Sequence, residues 1–310
     1  MFGKSLVIGI FLTSAASVAA AASPATSGTG LSAAQVVEKN VAARGGLQAW
    51  RAVRTMSLEG KMGVGGNQRA TLSVPAPPQK PGRKAALQTL QQIYSHRPKD
   101  EVELPFRMEL ARTHKVRFEL DVHGKTAVQV FDGTQGWKVR PFLNRNEVES
   151  FSEDETKMAS TQSELDGYLI DYAAKGTQIE RVGTEQVEGR ETYKLKVTPK
   201  NAPAINVWVD AKTFLETKIE GRPRRLDGVS HPVEVYFRDY RAVNGLQIPF
   251  IIETKVLTVA RTAMGFRDPP VPVETITVDK VVVNPPLQDT LFTRPQLMAA
   301  VSAPAAHVEK

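Results

Sequence analysis

The sequence predicts a mainly β protein with few helices, built as an antiparallel meander or curved sheet of about ten or eleven strands. Three observations carry that expectation. Apolar and polar residues alternate with period two over long runs, as in Val102, Leu104, Phe106, Met108 and Leu110. Tight-turn pairs punctuate the runs: His123-Gly124, Asp132-Gly133, Glu188-Gly189 and Asn244-Gly245. Hardly any helical pattern intervenes between strands, which argues against parallel βαβ units.

The N-terminus reads as a secretory signal over residues 1–22. Lys4 supplies a positive charge, Ser5–Leu12 is apolar, and the small residues Ala15–Ala22 offer cleavage positions. Residues 23–30 form a small-residue linker, and no later segment has spanning length, so the mature chain is expected in the periplasm without stable membrane insertion. Ser32 caps an amphipathic helix, with Gln35 completing a capping box and Gly45-Gly46 stopping it. A short helical turn, Leu47–Val53, carries Trp50.

Strand alternation begins at Met56, Leu58 and Met62 and continues at Val116, Phe118, Leu120 and Val122, whose opposite face is Lys115, Arg117, Glu119 and Asp121. A strand with one oily and one charged face belongs to a sheet wet on one side. Further strands read at Gln178–Val187, Thr192–Thr198, Ile205–Val209, Phe214–Glu220, Val233–Tyr240, Leu246–Val259 and Val273–Val283. Two segments interrupt them. Pro75–Pro98 is a surface insertion rich in Pro, Lys and Gln. Glu153–Ala174 reads as one helix, with Leu165, Tyr168, Leu169 and Tyr172 at i, i+3, i+4 and i+7. A single domain over 31–295 and a disordered tail at 296–310 complete the expected organisation.

The chain has no cysteine, which excludes thiol nucleophiles, thiolate metal sites, disulfides and a lipoprotein's lipid anchor. Net charge is +7, unevenly spread: Arg69–Arg117 holds ten Lys/Arg against four acids, and Glu147–Asp171 eight acids against Lys157. An export signal and the lack of any nucleic-acid-binding motif argue against a nucleic-acid partner.

Catalytic motifs are missing: no nucleophile elbow, zinc-protease helix, P-loop or dinucleotide fingerprint occurs, so no enzyme activity, cofactor or metal is expected. Gly63-Val64-Gly65-Gly66 reads as a hairpin turn. His114 and His123 bracket one strand at an odd separation and cannot share a metal there, while His96 and His231 read as solvated. Acid pairs such as Asp166/Asp171 and Glu153/Asp154 read as a solvated helix face. Two modest helices are too few to cover ten strands, so the sheet either curls until its walls meet or encloses an apolar ligand. Periodicity leaves both open.

Several phrases resemble the outer-membrane lipoprotein-sorting, LolA-like family of periplasmic carriers. They are Ala42–Gly60 (AARGGLQAWRAVRTMSLEG), Phe131–Phe142 (FDGTQGWKVRPF), Gly167–Lys175 (GYLIDYAAK), Val182–Val197 (VGTEQVEGRETYKLKV), Asp239–Phe250 (DYRAVNGLQIPF) and Asp279–Pro295 (DKVVVNPPLQDTLFTRP). The resemblance implies a strongly curved, incomplete β-barrel with a helical lid, and a carrier of lipoprotein or lipid acyl chains. It also implies an inner-membrane release complex and an outer-membrane acceptor as partners. On this chain the lid is Glu153–Ala174, with Leu165, Leu169 and Tyr172 turned inward. The concave wall is Phe106, Met108, Leu110, Val116, Phe118 and Leu120, with Trp137 near the rim. Arg112 matches the arginine that latches the family's lid, with Thr113 where the family has proline. The alternative is a lipid-sensing module acting on an envelope protein partner, and a hydrolase with an unrecognised site is a third reading.

Overall fold

The computed structural model describes residues 30–65, 101–162, 165–226, 229–259 and 271–296. The expectations for the signal, for nearly all of the linker, for the Pro75–Pro98 insertion with His96, and for nearly all of the tail lie outside them. From Ser32 onward the described chain forms one compact unit.

Helix α1 (Ala33–Ala43) starts at the expected capping box: the Ser32 hydroxyl accepts from Gln35 N, and Gln35 Oε1 accepts from Ser32 N. It buries Val36, Val37 and Asn40. Gly45 and Gly46, at φ +111° and +90°, turn the chain into α2 (Leu47–Ala52), whose Trp50 is 1% exposed. A side chain at Gly45 would collide with the carbonyl of Gly245, so close packing as well as the turn demands glycine there.

Thirteen described strands form one antiparallel sheet. In chain order they are β1 (Thr55–Gly65), β2 (Glu101–Ala111), β3 (Lys115–Val122), β4 (Lys125–Phe131), β5 (Gly136–Arg140), β6 (Arg145–Ser150), β7 (Gln178–Val187), β8 (Arg190–Thr198), β9 (Ile205–Asp210), β10 (Glu216–Leu226), β11 (Val229–Val243), β12 (Leu246–Val256) and β13 (Glu274–Val283). The spatial order runs β6-β5-β4-β3-β2-β1-β13-β12-β11-β10-β9-β8-β7. Strands β6 and β7 are the two edges and do not pair, so the curved sheet is an incomplete barrel. The chain from 151 to 177 therefore crosses from one edge of the sheet to the other, carrying α3 (Glu153–Gln162).

The strand count exceeds the expected ten or eleven because β4, β5 and β6 are short and weakly patterned; β6 (RNEVES) is almost wholly polar. Residues Gly63 to Gly65 extend β1 rather than forming a hairpin turn, each paired with β2. The helix expected over Glu153–Ala174 ends at Gln162, and 165–176 is a succession of turns. Positive φ at Gly167, Asp171 and Gly176 is incompatible with helix, although the apolar spacing imitates one.

Register assigns every strand two faces. Met56 opposes Leu110, Leu58 opposes Met108, and Met108 opposes Phe118, which puts the apolar series of β1, β2 and β3 on one inner face. Leu246, Ile248, Phe250 and Val278 join that face, and Trp50 of α2 and Ile170 close over it in a single buried cluster. Burying each such side chain contributes about 1.5–3 kcal/mol. The outer face carries Glu59, Lys61, Arg107, Glu109, Arg117 and Glu119 on the same strands. At its far end the C-terminal stretch lays Leu287, Leu291 and Phe292 over Ala111, Val128 and Val130. No helix among the described residues is long and apolar enough to cross a membrane.

Candidate functional site

The inner face divides into a filled part and an open part. Beneath α2 and Leu165–Gly176, Trp50, Ile170, Ile248 and Phe250 are each 6% exposed or less, so the protein's own side chains occupy that space. Toward β3, Leu58, Met62, Met108, Leu110, Phe118 and Leu120 pack on the same cluster but stay half-buried. Phe106 is buried and stacks on Phe118, ring centroids 5.9 Å apart. Alternation explains this wall: each strand turns every second residue inward, and the antiparallel register lines them up.

The sequence-based wall residues thus assemble, with exceptions. Phe106, Met108, Leu110, Phe118 and Leu120 meet as expected, and Val116 shares their face through its pairing with Leu110. Trp137 does not. It pairs with Val130, on the face of Arg117, and packs on the outer cluster with Val130 and Phe292. Leu165 joins the inner cluster, but so does Ile170 rather than Leu169; Leu169 is 1% exposed and Tyr172 half-buried. Turns rather than helix between Leu165 and Gly176 shift which side chains point inward.

An ionic node fixes that segment. Arg112, just past β2, donates through Nε to the Val53 carbonyl at 3.0 Å and through Nη2 to the Trp50 carbonyl at 2.9 Å. The same Nη2 lies 2.7 Å from Asp166 Oδ2, and Lys175 Nζ lies 2.5 Å from Oδ1. Arg44 adds a bond to the Asp166 carbonyl at 3.0 Å and pairs with Glu216 at 3.2 Å. Farther along, Arg51 holds Asp171 through two bonds of 2.8 Å, and these keep the Asp171 carboxyl below its ordinary value. The solvated-acid reading of Asp166 is therefore corrected: it is 2% exposed because three cationic side chains surround it. His231 is corrected likewise, being 1% exposed in β11 with Nδ1 2.9 Å from the Leu257 carbonyl. His114 and His123 flank β3, both at positive φ.

Hollows of measurable volume lie on the other face. One of about 690 Å³ is lined by Glu59, Pro105, Arg107, Glu119, Asp121 and Lys280 among others, and a neighbour of about 220 Å³ by Arg107, Glu109, Arg117, Glu119 and Leu291. Both walls include paired charges, Arg107 with Glu109 and Arg117 with Glu119, each at 2.6 Å, and Gly60, Pro105 and Phe106 also line the larger hollow. No group of three or more His, Cys, Asp or Glu among the described residues is placed to hold a metal.

No family model matches this sequence, and no curated protein matches it. Among solved structures, the chain is similar to a DUF1329 family protein from Desulfovibrio piger, with 12% identity, a TM-score of 0.50, and coverage of 86% of this chain and 99% of that one. It is also similar to a LolA superfamily protein from Nitrosomonas europaea, with 11% identity, a TM-score of 0.49, and coverage of 85% and 98%. Likeness at this identity shows the fold alone.

Proposed function

We propose that this chain is a periplasmic carrier that binds the hydrocarbon of lipoprotein acyl chains or other lipids against the open part of its inner face. The observation that carries the reading is the contrast on β1–β3: six half-buried apolar side chains inside, an ion-paired face outside. An apolar guest laid on that wall removes it from water, and each buried methylene contributes about 0.8 kcal/mol. The filled region under α2 moves the proposed binding surface toward the half-buried side chains of β1–β3.

The crossing segment 151–177 supplies the cover, and Arg112 its latch, because one guanidinium joins α2, the end of β2 and Asp166. Carriage toward an outer-membrane acceptor, after release from an inner-membrane complex, is the role that fits such an apolar surface in an exported protein. Delipidated protein is expected to bind a fluorescent fatty-acid probe, and Phe118→Asp to abolish binding without unfolding the chain. A probe that fails to bind, or binds the variant equally, sinks the reading. Mass spectrometry of lipids co-purifying with the native protein identifies the cargo; recovery of a single envelope protein and no lipid supports the sensor instead.

A further inference from the structure

The inner face ends, beyond β4, in charge rather than hydrocarbon. Phe118 opposes Gln129, and Gln129 opposes Lys138, so Lys138 shares the face of the apolar wall. Two strand spacings separate it from Phe118, about 10 Å across the sheet. Its ammonium lies 2.5 Å from Glu155 Oε1 of α3, with only 12% of the Lys138 side chain exposed. Its cross-strand partner is Glu149, which pairs with Arg140 at 2.6 Å and Arg145 at 3.6 Å. Three cations here share two carboxylates, and Arg140 Nε and Glu149 Oε1 are buried without a hydrogen-bond partner among the described residues.

Helix α3 is the lightly held half of the cover. None of its residues from Glu153 to Ser160 is buried, whereas Asp166, Leu169 and Ile170 in the other half are 2% exposed or less. Glu155 also closes a capping box, its Oε2 accepting from Ser152 N at 2.8 Å while Ser152 Oγ accepts from Glu155 N at 3.2 Å. Burial opposes its charge, yet hydrogen bonds from Lys138 and Ser152 keep the carboxyl below its ordinary value. The wall thus ends at a half-sequestered cation whose carboxylate partner rides on a polar helix.

We propose that the ligand is an anionic amphiphile whose carboxylate or phosphate replaces Glu155 on Lys138 while its chain lies over Phe118 and Met108. Glu155 is then a built-in stand-in for the headgroup, released with α3 as the ligand enters. One charge-assisted hydrogen bond is exchanged for another. The headgroup therefore sets specificity, while the chain supplies affinity. The inference rests on the apolar wall being the binding surface.

Displacement of a neutral fluorescent probe by hexadecanoate, hexadecyl phosphate and hexadecanol tests it. The anion that matches the native headgroup is expected to bind about tenfold tighter than the alcohol, the factor of one charge-assisted bond. Lys138→Met brings that ratio to about one, and Glu155→Gln, which keeps the capping geometry, raises it severalfold. Preference for the carboxylate points to a free fatty acid, and for the phosphate to a phospholipid head. Equal affinities for alcohol and both anions in the native chain, or a ratio unmoved by Lys138→Met, overturn the inference. If none of the three binds, the apolar-wall reading itself fails.

Discussion

Arg112 and Asp166 meet at 2.7 Å, and the same guanidinium donates to the carbonyls of Trp50 and Val53. A charge as buried as Asp166 depends on its partners, and Lys175, 2.5 Å away, is a second one besides Arg112. Arg112→Met is therefore expected to cost about 1–3 kcal/mol rather than the full penalty of a stranded ion. The double variant with Asp166→Asn should cost at least about 1 kcal/mol less than the sum of the singles, as urea unfolding measures.

The filled and half-buried parts of the inner face should respond differently. Trp50→Ala empties a fully buried site and is expected to cost about 3–5 kcal/mol. Phe118 is half-buried, so Phe118→Ala should cost about half as much or less while weakening probe binding more than any change in stability explains. Unfolding curves and probe titrations on the same two variants check this.

Gly60 sits where the neighbouring backbone leaves no room for a side chain. It sits at the register shift between β1 and β13, where a Cβ would fall 2.1 Å from the Thr277 carbonyl oxygen and 3.0 Å from the Phe106 ring. Gly60→Ala must push two strands apart or shift Phe106. A loss of about 2–4 kcal/mol is expected by urea unfolding, because backbone cannot yield as a side-chain tip does.

Acid should loosen the contact between β11 and the β7–β8 turn at Glu188. Its two hydrogen bonds from Arg238, at 2.6 and 2.7 Å, pull its carboxyl down to about 2 from an ordinary 4.5. A depressed folded value means that the contribution is whole above pH 4.5 and disappears as pH falls from 4.5 to about 2. Glu188→Gln should accordingly flatten the fall in thermal stability across that window relative to the native chain.

The sheet was legible because alternation survives wherever one face is oily and the other charged, as on Val116–Val122. Its short strands were not, since RNEVES offers no oily face at all. Trp137 was misplaced for a related reason: facing follows from counting parity around the Asp132–Gln135 turn, and composition does not record which way that turn delivers the next strand. Asp166 and His231 were read as solvated because residue type is a prior about water, whereas their burial depends on Arg112 and the Leu257 carbonyl, both distant in sequence. The apolar spacing of Leu165, Leu169 and Tyr172 imitated a helix that Gly167, Asp171 and Gly176 break. Lys138 and Glu155 left no signal in the sequence, because their meeting joins a strand to the helix that crosses the sheet.

Photo-crosslinking with a diazirine fatty acid, mapped by mass spectrometry, tests the central claim most directly. Adducts are expected on Met108, Phe118 and Leu120, and not on Trp137 or Arg107 of the opposite face. Adducts confined to the charged hollow beside Glu59 and Lys280, or scattered without saturation, would contradict it.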